Sequence, residues 1–323
     1  MRTGFVGLGA MGAPMARNLH RANLLRGVWN RTPDKAAALA AELGCKAYPT
    51  LADLAADCDV VGICVSADED LREVVAGLRS GLRAGKIVID FSTVGAGTAR
   101  ALHAQLSADG VGFLDCPISG GIEGAKQGTL AIMGGGDETV FERARPVLEA
   151  VGRKIAHLGP SGAGQATKAT NQIMCAGIIQ AVAEAMAFAH AEGLPLERVI
   201  DTLSQGAGSS WYFVNRAPYM AKGRFPAGFR VRLHEKDLRI CREMAAAHGA
   251  RLPVVESTLA EYATLIREGH GDEDISTIYR SKAALFDGGG SEPDPDEKPG
   301  ADAKPGADAK PGAGRKPDAG RGG

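Results

Sequence analysis

Lys168 stands in the run Gly159-Pro160-Ser161-Gly162-Ala163-Gly164-Gln165-Ala166-Thr167-Lys168-Ala169-Thr170-Asn171-Gln172. Lys168, Asn171 and Gln172 fall at i, i+3 and i+4, so a helix would carry them on one face. Lys168 lies near that helix's N-terminus, where the positive dipole end disfavours an ammonium. Burial in a cleft pushes its pKa the same way, and a lysine moved toward neutral pH both gives and takes protons. Spacing alone leaves open a surface lysine with no special role. A second constellation is Asp115-Cys116-Pro117-Ile118-Ser119-Gly120-Gly121. Its Ser119-Gly120-Gly121 run can aim backbone N–H groups and a hydroxyl at one point, forming an anion nest suited to a substrate carboxylate. Most such runs are only turns, so the signal is weak by itself.

A third motif is Gly7-Leu8-Gly9-Ala10-Met11-Gly12, a G-x-G-x-x-G. It follows a predicted strand at Thr3–Val6 and opens a predicted helix at Pro14–Ala22, the context a dinucleotide-binding loop requires. The first glycine permits the tight turn, the second lets backbone approach a pyrophosphate, and the third lets helix pack on strand. At the end of the second predicted strand, where an acid usually holds the ribose 2′-hydroxyl about 20 residues on, the chain has Asn30-Arg31-Thr32. A guanidinium there can grip a 2′-phosphate and a hydroxyl can add a bond. The expected cofactor is NADP(H), with NAD(H) possible; the plain alternative is a solvated arginine in a loop.

These residues need elements to hold them. The N-terminal half alternates strand-like runs (Thr3–Val6, Leu25–Trp29, Val60–Val65, Ile87–Phe91, Val111–Leu114) with helix-like segments. Pro33 starts a helix that Gly44 stops, Thr50 with Asp53 resembles a capping box, and Asp68, Glu69 and Asp70 put acids in a first helical turn. Such alternation implies a mostly parallel sheet covered on both faces. From about Gly162 to Phe286 the periodicity is helical. The stretch Ile173–Phe188 is apolar nearly all round, interrupted by Gln180 and Glu184. It falls short of roughly 18 unbroken apolar residues, so it is expected to be a buried helix, in the domain core or between subunits, rather than a membrane span.

The composition narrows the function classes. In 323 residues, 37 Lys plus Arg against 38 Asp plus Glu leave a net charge of −1, and aromatics make up only 5%. Nucleic acid as main partner would need a basic surplus and stacking platforms. The six cysteines form no C-x-x-C and the histidines no H-E-x-x-H, so no metal site is expected. The thiols read as small core hydrophobes in a reducing cytoplasm, and no targeting segment is expected. From Gly288 onward, hexapeptides such as Lys298-Pro299-Gly300-Ala301-Asp302-Ala303 repeat, without Val, Ile, Leu, Met or an aromatic. Six basic and seven acidic side chains make this no polybasic arm. The expectation is a disordered tail without a function of its own, the alternative being a tail that binds a partner.

Together the glycine loop, D-x-P-x-S-G-G at 115–121, G-x-x-G-x-G-x-x-x-K-x-x-N at 159–171 and Lys236-Asp237-Leu238 resemble the β-hydroxyacid dehydrogenase family over about residues 1–286. That family includes 3-hydroxyisobutyrate dehydrogenases, tartronate semialdehyde (2-hydroxy-3-oxopropionate) reductases and glyoxylate/succinic semialdehyde reductases. The resemblance implies Lys168 as catalytic proton donor and acceptor, and Ser119, Gly120 and Gly121 as the substrate carboxylate site. It implies Asn171, with Gln172 beside it, as substrate-orienting. Thr93 would lie at the nicotinamide ribose, Val65 and Ser66 in a loop passing the cofactor, and Lys236 would reach the cofactor from the helical domain. By spacing alone Lys236 is one charge on a solvated helix face. Gln172 replaces a second asparagine found in many members. Asn171-Gln172 and Gly228–Leu238 look like the tartronate semialdehyde branch, whereas Asn30-Arg31-Thr32 resembles the NADPH-using glyoxylate/succinic semialdehyde reductases.

The expected architecture is therefore an α/β Rossmann domain over 1–161 and an all-α substrate and dimerisation domain over 162–287, followed by the tail at 288–323. The resemblance implies a homodimer or homotetramer. The expected function is NAD(P)-dependent hydride transfer on a small 3-hydroxy acid or semialdehyde. Glyoxylate/succinic semialdehyde reduction is the first alternative. Behind it come an imine reductase, which generally lacks a lysine at this position, and a non-catalytic NADP(H)-binding protein. A 6-phosphogluconate dehydrogenase proper would need a longer helical domain.

Overall fold

The computed structural model describes residues 1–287, so the expected tail lies outside the described residues. The N-terminal half builds β1 (Thr3–Val6), α1 (Gly12–Arg21), β2 (Leu25–Trp29), α2 (Pro33–Leu43), β3 (Lys46–Ala47), α3 (Leu51–Asp57), β4 (Val60–Ile63), α4 (Asp68–Leu78), β5 (Ile87–Asp90), α5 (Ala96–Ala108) and β6 (Gly112–Asp115). The six strands pair in parallel in the order β3-β2-β1-β4-β5-β6. This is the doubly wound order, whose winding reverses between β1 and β4 and leaves a crevice at the strand ends. Every residue of β1, β4 and β5 is buried, which explains their continuous apolar runs. One core of Phe5, Met15, Leu19, Leu114 and Phe141 covers one face, and a second of Leu54, Leu71, Leu78, Val88 and Phe113 covers the other.

Local signals act where expected. Gly44 ends α2 with φ +64°, and the Thr50 hydroxyl accepts the Asp53 N–H at 3.1 Å to open α3. Other elements lack a sequence signature. Beyond β6 lie β7 (Ile118–Ser119), α6 (Gly121–Gln127), β8 (Leu130–Gly134), α7 (Glu138–Val151) and β9 (Gly152–His157). Strand β7 runs antiparallel to β8, and β8 parallel to β9, in a second small sheet that the apolar pattern does not announce. The two-residue β7 has no periodicity to read, and β9 carries mostly exposed or half-buried residues. Its importance is positional, because β7 holds Ser119.

The C-terminal half consists of α8 (Ala163–Ala191), α9 (Leu196–Leu203), α10 (Trp211–Ala221), α11 (Val231–Ala246), α12 (Pro253–Arg267) and α13 (Tyr279–Ala283). Helix α8 has 29 residues and is long and apolar enough to cross a membrane, but Ala176, Ile179, Ala183 and Met186 bury its inner side in a core with Phe213, Leu238, Val255 and Tyr262. Its other side leaves Met174 56% and Phe188 54% exposed. Four of the six cysteines are buried, and Cys45 and Cys64 are half-buried; all six are free thiols.

Candidate active site

The glycine loop joins β1 to α1 at the reversal of the sheet. Gly7 has φ +89°, and a Cβ there would lie 2.1 Å from the Cys64 carbonyl oxygen. A Cβ on Gly12 would lie 1.8 Å from the Gly7 carbonyl oxygen, so α1 can approach β1 only with hydrogen at that position. At Gly9 a Cβ would meet nothing within 4 Å, so the face of the loop that a dinucleotide pyrophosphate needs is open. Leu8, Ala10 and Met11 fill the turn; no side chain caps α1 and its first turn holds no acid, which leaves its positive end available to an anion. The loop's geometry fits a dinucleotide phosphate group.

The structure divides the Asn30-Arg31-Thr32 triplet. Asn30 Oδ1 accepts the Leu8 N–H at 2.9 Å and its Nδ2 donates to the Thr32 carbonyl at 3.1 Å. Asn30 therefore ties the glycine loop to the turn before α2, with one end of its amide on each. Arg31 points outward, 74% exposed along its side chain, and pairs with Asp70 of α4 at 2.8 Å. Thr32 lies just before α2 without a capping bond from its side chain.

On the other side of the crevice, Val65 N–H donates to Ser92 Oγ at 2.9 Å, while Ser66 is exposed. Lys236 of α11 donates from Nζ to the Thr93 carbonyl at 2.7 Å and pairs with Asp237 at 3.0 Å. The structure thus brings Val65, Thr93 and Lys236 together around one loop between β5 and α5.

Lys168 projects from the second turn of α8 and is 8% exposed. Its Nζ donates to the Ile118 carbonyl at 3.0 Å, next to Ser119, Gly120 and Gly121. Burial pushes the Lys168 pKa down from the ordinary lysine value, with the nearby Asp237 carboxylate opposing. Gly120 and Gly121 have φ +130° and +64°, a backbone bend between β7 and α6. Helix α8 starts tightly against the sheet: Asp115 Oδ1 accepts Gly162 N–H at 2.8 Å and Oδ2 accepts Gln165 N–H at 3.0 Å.

Asn171 is half-buried and donates from Nδ2 to Gln172 Oε1 at 2.8 Å. Gln172 is only 1% exposed, and its Nε2 donates to Asp237 Oδ2 at 2.7 Å. Gln172 thus links Asn171 to Asp237, with one end of its amide on each. His234, fully buried, faces the Gln172 carbonyl at 3.3 Å and Tyr262 Oη at 3.0 Å; burial holds its pKa down at about 4 and keeps it neutral. Sequence reasoning missed Asp90, Asp115, Gln165, His234 and Asp237 as parts of the site. The signal was there for Asp237, inside Lys236-Asp237-Leu238, and for Asp115 and Gln165, inside motifs read only for their other residues.

Comparisons with known proteins agree with this architecture. The family model of the NAD binding domain of 6-phosphogluconate dehydrogenase matches residues 2–159, and that of the NAD-binding domain of NADP-dependent 3-hydroxyisobutyrate dehydrogenase matches residues 162–281. The NAD-dependent L-serine dehydrogenase of Pseudomonas aeruginosa is 34% identical over 293 residues, covering 88% of this chain and 97% of that one. The 2-hydroxy-3-oxopropionate reductase of Escherichia coli is 35% identical over 284 residues, covering 87% and 97%. The solved 3-hydroxyisobutyrate dehydrogenase of Mycobacterium tuberculosis with L-serine superposes with a TM-score of 0.81 at 35% identity, over 87% of this chain and 99% of that one. With both halves matched and the relatives covered almost end to end, the chain belongs to the β-hydroxyacid dehydrogenase family of NAD(P)-dependent oxidoreductases.

Proposed function

We propose that the protein is an NADP(H)-dependent dehydrogenase/reductase of small 3-hydroxy acids and their semialdehydes, of the 2-hydroxy-3-oxopropionate or 3-hydroxyisobutyrate type. One observation carries the reading: the buried Lys168 Nζ lies 3.0 Å from the Ile118 carbonyl, beside the Ser119–Gly121 bend. In this reading the Ser119 hydroxyl and the N–H groups of Gly120 and Gly121 hold the substrate carboxylate. Asn171 orients the rest of the substrate, and Lys168 gives a proton to the carbonyl oxygen in reduction and takes it back in oxidation. When bound, the dinucleotide supplies hydride in reduction and receives it in oxidation. Fixing the carboxylate supplies proximity, and the lysine charge stabilises developing alkoxide.

Arg31, exposed and paired with Asp70 of α4 rather than with an acid at the end of β2, supports NADP(H) over NAD(H) through a 2′-phosphate contact. The same residue favours a second reading, reduction of glyoxylate or succinic semialdehyde. The filled lysine position supports both over imine reduction and over a non-catalytic dinucleotide binder. The near-neutral chain supports a small-molecule partner rather than nucleic acid or membrane. Its free thiols support a cytoplasmic setting, and the exposed Met174 and Phe188 on α8 support a homodimer or homotetramer.

The test is turnover of tartronate, succinic and methylmalonate semialdehydes and glyoxylate with NADPH and with NADH. Lys168→Ala is assayed alongside. It is expected to keep NADPH binding and to lose about 10²- to 10⁴-fold in kcat. Near-normal turnover in that variant would refute the assignment.

A further inference from the structure

Residues Ser92 to Val94 follow β5 and are gripped from several sides. Asp90 Oδ1 accepts Ser92 N–H at 2.9 Å, Val65 N–H donates to Ser92 Oγ at 2.9 Å, and Lys236 Nζ donates to the Thr93 carbonyl at 2.7 Å. The fourth grip comes from α8 itself. Gln165 Nε2 donates to the Ser92 carbonyl at 2.8 Å while its Oε1 accepts Val94 N–H at 3.2 Å. A backbone N–H can only donate and a carbonyl only accept, so the two bonds fix which way the amide points. Gln165 is 1% exposed, and its own N–H is pinned by Asp115. It precedes Lys168 by three residues, one turn on the same helix face.

We propose that Gln165 is a positioning residue for the reaction, setting Lys168 against the Thr93 loop with buried Asp90 as its partner. The inference rests on the reading of Lys168 as the proton donor. In that reading, with Thr93 at the nicotinamide ribose, the Gln165 amide links the loop beside the cofactor to the helix that carries Lys168. A misplacement of about 1 Å at such a site costs on the order of a hundredfold in rate.

The surroundings supply a readout that a merely structural role would not give. Asp90 Oδ2 lies 3.4 Å from Gln165 Nε2. The ionisable groups facing Asp90 are Asp115 from β6, Asp68 from α4 and, more weakly, the thiols of Cys64 and Cys116. Burial raises Asp90 to about 7. Gln165→Glu would put a carboxyl oxygen where the NH₂ now bonds the Ser92 carbonyl and faces Asp90. The grip then needs a proton, which becomes available as pH falls. Gln165→Met keeps the length of the side chain and removes both bonds at every pH.

The experiment measures kcat on the semialdehyde that the wild type reduces fastest, between pH 6 and 8, for full-length wild type, Gln165→Glu, Gln165→Met and Lys168→Ala. NADPH affinity by fluorescence and Tm are followed in parallel. Relative to wild type at the same pH, Gln165→Glu is expected to lose about a hundredfold at pH 8 and to regain about tenfold by pH 6. Gln165→Met should lose as much with no recovery, and both should bind NADPH within about threefold of wild type. Wild-type kcat in a folded Gln165→Met, or an acid profile of Gln165→Glu parallel to that of Gln165→Met, would overturn the inference. Should Gln165→Glu not fold, the kcat of Gln165→Met decides alone. A Lys168→Ala variant that turns over normally removes the reading of Lys168 itself; an inactive one beside unaffected Gln165 variants removes only the role of Gln165.

Discussion

Lys168 and Arg31 are two cations in opposite settings, and their chemistry follows from that. Lys168 is buried and its pKa is pushed down by desolvation. Reduction needs the ammonium, so kcat/KM for reduction should fall as pH rises through a value below the ordinary lysine figure of about 10.4. Oxidation needs the amine and should rise over the same range. Matching pH–rate profiles in the two directions check this, and an alkaline limb at the ordinary lysine value would count against Lys168. Arg31 sits in solvent, held among the described residues by Asp70. An exposed pair of this kind contributes roughly 0–1 kcal/mol, so a 2′-phosphate can displace the carboxylate at small cost. Arg31→Ala should raise the NADPH Kd about 10- to 100-fold while leaving NADH within about twofold, measured by fluorescence titration. Equal loss for both cofactors would place Arg31 outside the discriminating contact.

At the scale of elements, the junction of β1 and α1 separates two uses of glycine. Gly12→Ala drives a methyl group into the Gly7 carbonyl, an atom that cannot move without moving β1. It should cost about 1–3 kcal/mol of stability and lower Tm together with dinucleotide affinity. Gly9→Ala has open space around the new methyl group and should keep the wild-type Tm while losing affinity. Thermal melts with and without NADPH separate the two. The strands β1, β2, β4, β5 and β6 and the helices α1 to α4 were legible because their apolar runs, caps and glycine stops are local signals. The resemblance carried by the motifs at 115–121 and 159–171 also pointed to Lys168 lying near Ser119, Gly120 and Gly121. The sheet of β7, β8 and β9 was not legible, because its strands are short and half-exposed and exist through pairing with segments distant in sequence. The hydrogen-bond partners of Gln172 and Asn30 were not legible for the same reason. Sequence gives a polar side chain's identity and helix face, while its partner, here Asp237 or the Leu8 N–H, comes from another element.

For the whole molecule, the buried cores among the described residues are drawn from Phe5 to Ile278. Removal of 288–323 should therefore leave kcat, KM and Tm unchanged; a change in any of them would give the repeats a role. The two halves are less separable than their different architectures suggest. Helix α8 begins against β6, with the Gly162 and Gln165 N–H groups on Asp115, and packs its inner side from Ala176 to Met186 into the helical core. Opening either half strips that helix of the partners that hold it at one end. Heat should accordingly melt both cores in a single step, with calorimetric and van't Hoff enthalpies in agreement, whereas two resolved peaks would show that the helix does not couple them. The same continuity means that a protease or a gene break between 159 and 162 would separate the glycine loop from Lys168, so that on the proposed reading neither piece alone would function as the enzyme.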